Sequence, residues 1–160
     1  MSVKIGEPLP KCELKTMLNG QVTDVDISQL FATGKGVLFG VPGAFTPGCS
    51  KNHLPSYVNG YEAIRDQGFD TIACMAVNDV WVMSAWGKSA KADGKVLMLA
   101  DGSAICAKRL GLELDLNHVG MGMRCKRFSM IIEDGIVQQI NIDGNYIETT
   151  SAAYTCGLSQ

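Results

Sequence analysis

GVLFGVPGAFTPGCS (residues 36–50) sets an unbroken apolar run against a proline- and glycine-rich loop that ends on a single cysteine. The run GVLFGV (36–41) carries no polar alternation, which predicts a strand buried on both faces of a central sheet. After the loop, Thr46 is a good helix N-cap and Pro47 suits the first helical position. The periodic Leu54, Val58 and Tyr61 predict a helix to about Asp66, stopped by Gly68. That order puts Cys49 in the first turn, where unpaired N–H groups and the helix dipole favour an anion. The thiolate is the nucleophile, and a free cysteine with a pKa of ~8.5 is only a few per cent thiolate at pH 7. Cys49 is therefore the candidate catalytic sulfur.

Outward from this stretch the pattern repeats. TIACMAV (71–77) and KVLMLAD (95–101) are two more buried strand runs. A helix is expected from about Asp79 to Ala92 with Asn78 as its cap, and a short one around Ala104–Leu110. At the start, KCELKTML-NG-QVTDVDI predicts a β-hairpin, because Asn19-Gly20 is the preferred two-residue turn. A short helix over 28–34 follows it. RFSMIIE-DG-IVQQINI predicts a second hairpin at Asp134-Gly135, reached through the glycine-containing connection HVGMGMRC. A last helix begins near Thr150 or Ser151. Strand–helix alternation followed by a hairpin and a helix predicts an α/β fold of thioredoxin-like order, with a central mixed β-sheet flanked by helices and an added N-terminal β-hairpin.

The 160 residues suit one domain spanning 1–160, with 46% hydrophobic and 19% charged residues arguing against disorder. A net charge of −2 without a basic run gives a nucleic-acid or anionic-membrane partner no electrostatic support, and neither is expected. No stretch approaches the roughly 20 apolar residues needed to span a bilayer. MSVKIGEPLP has neither a signal-peptide apolar region nor an Arg-rich transit pattern, so a cytoplasmic enzyme is expected. Cys12, Cys49, Cys74, Cys106, Cys125 and Cys156 include no C-x-x-C pair, which removes the zinc-ribbon and thioredoxin-motif readings. No metal and no cofactor are expected, and the five cysteines other than Cys49 read as small buried hydrophobes.

The loop before Cys49 exceeds what a helix start requires. Pro42 and Pro47 stiffen it, Gly43 and Gly48 allow a small substrate to approach the backbone, and the Thr46 hydroxyl can accept and donate hydrogen bonds. A sulfur anion gains from a nearby cation. Among the four arginines, Arg127 begins the strand RFSMII, so it sits at the end of a rigid element, where a sheet-end site would lie, and its fork could hold both the sulfur and a peroxide oxygen. His53 lies four residues after Cys49 on the same helix face, but no Asn or Asp orienter is evident, and a structural histidine is the expectation. Pro55 has no N–H for the Lys51 carbonyl and is expected to kink the helix and loosen its first turn.

PGAFTPGCS, with Pro42, Thr46 and Cys49 spaced as P-x-x-x-T-x-x-C, resembles the peroxiredoxins. AVNDVWVMSAWG (76–87), LADG (99–102), LGLELDL (110–116) and KRFSMIIEDG (126–135) resemble peroxiredoxin V and the related plant and bacterial type II enzymes. The resemblance covers nearly the whole chain. It implies a thioredoxin fold, a homodimer, and a thiol peroxidase acting on hydrogen peroxide and small alkyl hydroperoxides. It makes Cys49 the peroxidatic cysteine, Arg127 the thiolate-stabilising arginine, Thr46 the residue that orients the peroxide and Pro42 the shield over the sulfur. Vertebrate peroxiredoxin V places a resolving cysteine where Thr149 or Thr150 falls here, whereas this chain has Cys156 further on. Either Cys156 resolves the Cys49 sulfenic acid, or an external thiol does so: glutathione, glutaredoxin or thioredoxin. A Cys49–Cys74 bond would need substantial local unfolding.

Two rival readings use the same cysteine. One is a peroxide-sensing redox switch or interaction protein, which differs from a peroxidase in not turning over. The other is a thioredoxin-like adaptor with a structural Cys49. A cysteine hydrolase is weaker for want of a triad.

Overall fold

The central apolar run becomes β3 (Lys35–Gly40), in which every residue after Lys35 is buried. It pairs in parallel with β4 (Phe69–Ala76), which pairs in parallel with β5 (Leu97–Ala100). On its other side β3 pairs antiparallel with β8 (Arg127–Glu133), which continues into β9 (Ile136–Asp143). The N-terminal hairpin of β1 (Glu13–Leu18) and β2 (Gln21–Asp26) joins the far edge, giving a seven-stranded mixed sheet of order β2-β1-β5-β4-β3-β8-β9. This computed structural model describes residues 2–144 and 146–158.

Alternation along the buried strands builds two cores. Val37, Phe39, Cys74 and Ala76 face one layer, closed by α2 (Leu54–Asn59), α4 (Val80–Ser89) and α6 (Ala152–Cys156). Leu38, Ala73 and Met75 face the other, closed by α1 (Ile27–Leu30) and α5 (Ile105–Leu110). Strands covered by helices on both faces have no polar face to present, which is why these runs read as continuously apolar. Both hairpin turns lie where Asn-Gly and Asp-Gly predict them, with positive φ at Asn19, Gly20, Asp134 and Gly135.

Four local expectations need correction. The helix after Cys49 is not continuous to Asp66: it breaks at Gly60, and α3 (Tyr61–Asp66) starts afresh. HVGMGMRC is not a plain connection. It holds a short 3₁₀ turn and β7 (Gly122–Cys125), which pairs with β6 (Glu113–Leu116) as a small separate hairpin too short to give a periodic signal. The cap of α4 is Asp79, whose carboxylate accepts from Val82 N–H at 2.9 Å, not Asn78. Thr46 does precede the first helical residue, Pro47, and its carbonyl accepts from Ser50 N–H at 2.9 Å, but its hydroxyl makes no capping bond, for a reason that lies in the loop itself.

Candidate active site

The loop crosses the carboxyl end of β3, with Val41 N–H still donating to Met75 on β4 at 3.1 Å. The Thr46 hydroxyl donates back to the Gly43 carbonyl at 2.6 Å, so its hydrogen closes a tight turn within the loop and its oxygen keeps the capacity to accept. Ala44 N–H donates to the Asn78 side-chain oxygen at 2.9 Å, so the residue expected to cap α4 instead ties down the loop. Phe45 takes φ 63°, an uncommon conformation for a large side chain held at the turn between these anchors.

Cys49 opens a π-helical turn, Cys49–His53, in which Leu54 N–H bonds the Cys49 carbonyl. Pro55 explains this register. It has no N–H for an ordinary i→i−4 bond, and the backbone widens by one residue ahead of it. Ser50 accepts a bond from the buried Trp86 indole at 3.0 Å, which pins the turn to α4.

Arg127, the first residue of β8, is buried and donates from Nη2 to the Cys49 sulfur at 3.3 Å. Gly48 makes this possible. A Cβ there would stand 3.2 Å from the guanidinium. Nη1 of Arg127 reaches Nδ1 of His53 at 3.0 Å, and Nε2 of His53 reaches the Thr150 carbonyl at 3.1 Å. An arginine can only donate and a carbonyl can only accept, so His53 carries its proton on Nε2 and presents a lone pair to Arg127. Burial, then the Arg127 charge, lowers the His53 pKa to about 3, so the ring is neutral and its one lone pair is already used. His53 holds the arginine and does not serve as a base, in keeping with the expected structural histidine.

A chain of contacts extends this hold into the C-terminal loop. Thr150 also accepts from the Tyr57 hydroxyl at 2.7 Å, and its own N–H and hydroxyl donate to Asp143 at 2.9 and 2.7 Å. Burial pushes the Asp143 carboxyl up, but the hydroxyls of Thr149 and Thr150 and the N–H groups of Glu148 and Thr149 outweigh it and hold the group well below the usual carboxylate range. Asp143, Thr150, Asn78 and Trp86 are positioning residues that sequence reasoning missed, since nothing in their local patterns points to the cysteine.

Arg127 Nε is a buried donor without a partner among the described residues. Arg124 of β7 adds a second guanidinium near the loop, anchored on the Met121 carbonyl at 2.7 Å and 3.5 Å from the Pro42 carbonyl. All six cysteines are free thiols and all are buried. Cys74 lies under the site on β4, where burial and the neighbouring Cys49 push its thiol up. Cys156 falls within α6, and burial pushes its pKa up to about 12. Among the described residues no group of three or more His, Cys, Asp or Glu side chains is placed to hold a metal.

Residues 4–155 match the family described as Redoxin. Peroxiredoxin-2E, a chloroplastic protein of Arabidopsis thaliana, is 40% identical over 156 residues, covering 95% of this chain and 67% of that protein. Reduced Prx3 of Vibrio vulnificus, solved with hydrogen peroxide, superposes with a TM-score of 0.92 at 39% identity, over 97% of this chain and 98% of that one. Peroxiredoxin 5 of Alvinella pompejana superposes with a TM-score of 0.84 at 32% identity, over 96% of each chain. The thioredoxin-like mixed sheet, the P-x-x-x-T-x-x-C loop and these likenesses agree. The chain belongs to the Redoxin family and, within it, to the peroxiredoxins of the type II and peroxiredoxin 5 kind, thiol-dependent peroxidases.

Proposed function

We propose that this protein reduces hydrogen peroxide and small alkyl hydroperoxides through Cys49 and is recycled by an external thiol. The observation that carries the reading is the 3.3 Å contact between the Cys49 sulfur and a buried arginine whose other arm is fixed by a neutral histidine. A guanidinium so placed gives a sulfur anion a charge-assisted partner that needs no reorganisation when the reaction starts.

The Cys49 thiolate attacks the near oxygen of the peroxide. An S–O bond forms, the O–O bond breaks, and the far oxygen leaves as hydroxide or alkoxide and takes up a proton. Arg127 holds the sulfur through Nη2 and offers its unpartnered Nε to a peroxide oxygen. Thr46, its hydrogen spent on Gly43, accepts the peroxide O–H and so orients the molecule. Pro42 closes the loop over the sulfur.

Burial of Cys156 and its upward-shifted pKa leave it a poor attacker at neutral pH, which supports glutathione, glutaredoxin or thioredoxin as the thiol that resolves the sulfenic acid. A homodimer fits the apolar side chains left in water near the site, Phe45 at 54% and Trp81 at 67% exposure. Mass spectrometry after one equivalent of hydrogen peroxide tests the cycle. A sulfenic acid on Cys49 that becomes a glutathione adduct is expected. A Cys49–Cys156 disulfide would overturn the external route, and an unmodified Cys49 would overturn the peroxidase reading.

A further inference from the structure

Two further thiols lie in the core on the opposite face of the sheet, with an exposed arginine at their margin, where nothing in the peroxidase reaction uses them. Cys12 stands one residue before β1. The antiparallel register Lys15↔Ala100 carries it past the end of β5 to the loop that opens α5. Cys106 sits in the first turn of α5, its N–H held by the Asp101 carboxylate at 3.0 Å. Three residues on, and so on the same side of the helix, Arg109 donates from Nη1 to the Lys11 carbonyl at 2.7 Å, next to Cys12. Cys12 and Cys106 are buried in the same apolar cluster, and Arg109 reaches the backbone next to Cys12, so both groups are neighbours that act on the Cys12 sulfur.

The cluster divides into an attacker and a partner. The hydrogen bond from Cys106, then the charge of Arg109, lowers the Cys12 thiol below its ordinary value despite burial. The same contact with Cys12, and burial, push the Cys106 thiol up, so the proton stays on Cys106. Access is through the segment 2–10. It forms no strand beyond a single bridge from Pro8 to Ile136, and its backbone ties include Val3 to Leu110, Gly6 to Val137 and Leu9 to Gly135. Between this segment and Arg109 lies a cleft of about 460 Å³. A cover so lightly held opens by local fluctuation at far lower cost than the sheet beneath it.

We propose that Cys12 and Cys106 form a second redox site, a dithiol that a hydroperoxide oxidises to an intramolecular disulfide joining the segment before β1 to α5. The Cys12 thiolate attacks the peroxide, forming S–O and breaking O–O, and the far oxygen leaves and is protonated to water or alcohol. Cys106 then attacks the Cys12 sulfur. The S–S bond forms, the S–O bond breaks, and the hydroxyl departs with the Cys106 proton as water. Two thiols lose two electrons in all, and one hydroperoxide becomes water or an alcohol plus a second water. Once Cys12 is a neutral sulfenic acid, the contact that held the proton on Cys106 is gone, which favours the second step.

The test uses the full chain with Cys49→Ser, so that chemistry at Cys49 cannot contribute. The protein is treated with excess hydrogen peroxide without thiol, free thiols are alkylated under denaturing conditions, and peptides are mapped by mass spectrometry. A Cys12–Cys106 linked peptide is expected, reversed by dithiothreitol, absent in Cys12→Ala, and formed several-fold more slowly in Arg109→Gln. Full alkylation of both cysteines after treatment overturns the proposal, as does a different pairing such as Cys106–Cys125. If Cys12→Ala fails to fold, Arg109→Gln decides alone, since Arg109 is exposed and lies outside the packed core. An unchanged rate there removes the arginine from the site. Because Cys49 is absent throughout, failure here is distinct from failure of the peroxidase reading, which the wild-type chain tests.

Discussion

Cys49 and Cys12 each lie beside an arginine, and the two settings differ in how that arginine is held and in what stands next to the sulfur. Arg127 is buried, starts a sheet strand, and is gripped by a neutral His53 that is itself tied to Thr150. Arg109 is exposed, lies in the last turn of a six-residue helix, and is held by the Lys11 carbonyl. A buried guanidinium acts at close range in a low dielectric, whereas an exposed one is screened by water and salt. The neighbours differ as well. Cys49 has Cys74 in the strand below and Cys156 in α6, both driven toward the protonated thiol, while Cys12 has Cys106 as a neighbour in its own core. A sulfur with a fixed cation and no adjacent reactive thiol suits repeated reaction with outside partners. A sulfur with a looser cation and an adjacent thiol suits a single closure.

The largest expected effect comes from Cys49→Ser. Peroxide consumption in the presence of a thiol reductant should fall to the uncatalysed level, with the Cys12–Cys106 linkage still forming. Retained turnover would break the comparison, because it would make the second cluster the enzyme. Next is Arg127→Gln, which removes a preorganised cation and should slow the second-order reaction with hydrogen peroxide by about 10²–10³-fold, read by stopped-flow fluorescence. High salt should leave the wild-type rate at Cys49 nearly unchanged and slow oxidation at Cys12.

His53→Ala frees one arm of Arg127 and should cost about 10-fold in the same rate, by analogy with other ligand-orienting residues. Gln at this position can donate to Thr150 and accept from Arg127, so His53→Gln should recover most of the loss. The histidine also leaves a signature in stability. Its pKa is about 3 in the folded protein and ~6.5 when unfolded, so between these values the unfolded chain binds more protons. Its contribution is fully present above about pH 6.5 and is lost as pH falls toward 3, with a slope of at most about 1.4 kcal/mol per pH unit. Urea titrations from pH 7 to pH 4 should show that slope in the wild type and a shallower one in His53→Gln. The smallest effect is expected from Cys12→Ala, which should leave peroxide turnover unchanged within error.

How far the sequence reached differs between the two regions. At Cys49 the helix start, the stiffened loop and the strand position of Arg127 were all readable, because each rests on residues within a few positions of one another. The π turn was half legible: Pro55 signals a disturbed helix, and the structure shows the form that takes, a widened turn tied to α4 through Trp86 and Ser50. Thr46 stands at the helix start as its sequence position predicts, but its hydroxyl bonds the Gly43 carbonyl and not a helix N–H, because a hydroxyl's partner is chosen by geometry. Asn78, Thr150 and Asp143 were invisible as site residues, since each acts across a sequence gap that only the sheet order closes.

The sequence by itself determined the strand runs, both hairpin turns and the peroxidatic motif, since periodicity, turn conformation and helix entry are local consequences of side-chain size and φ preference. The tertiary structure decided the pairings. It set Arg127 against Cys49 through the register of β3 and β8, joined His53 to Thr150, and brought Cys12 to Cys106 through the pairing of β1 with β5. Contacts between residues tens of positions apart depend on which strands become neighbours, and that is settled by burying both faces of the whole sheet at once.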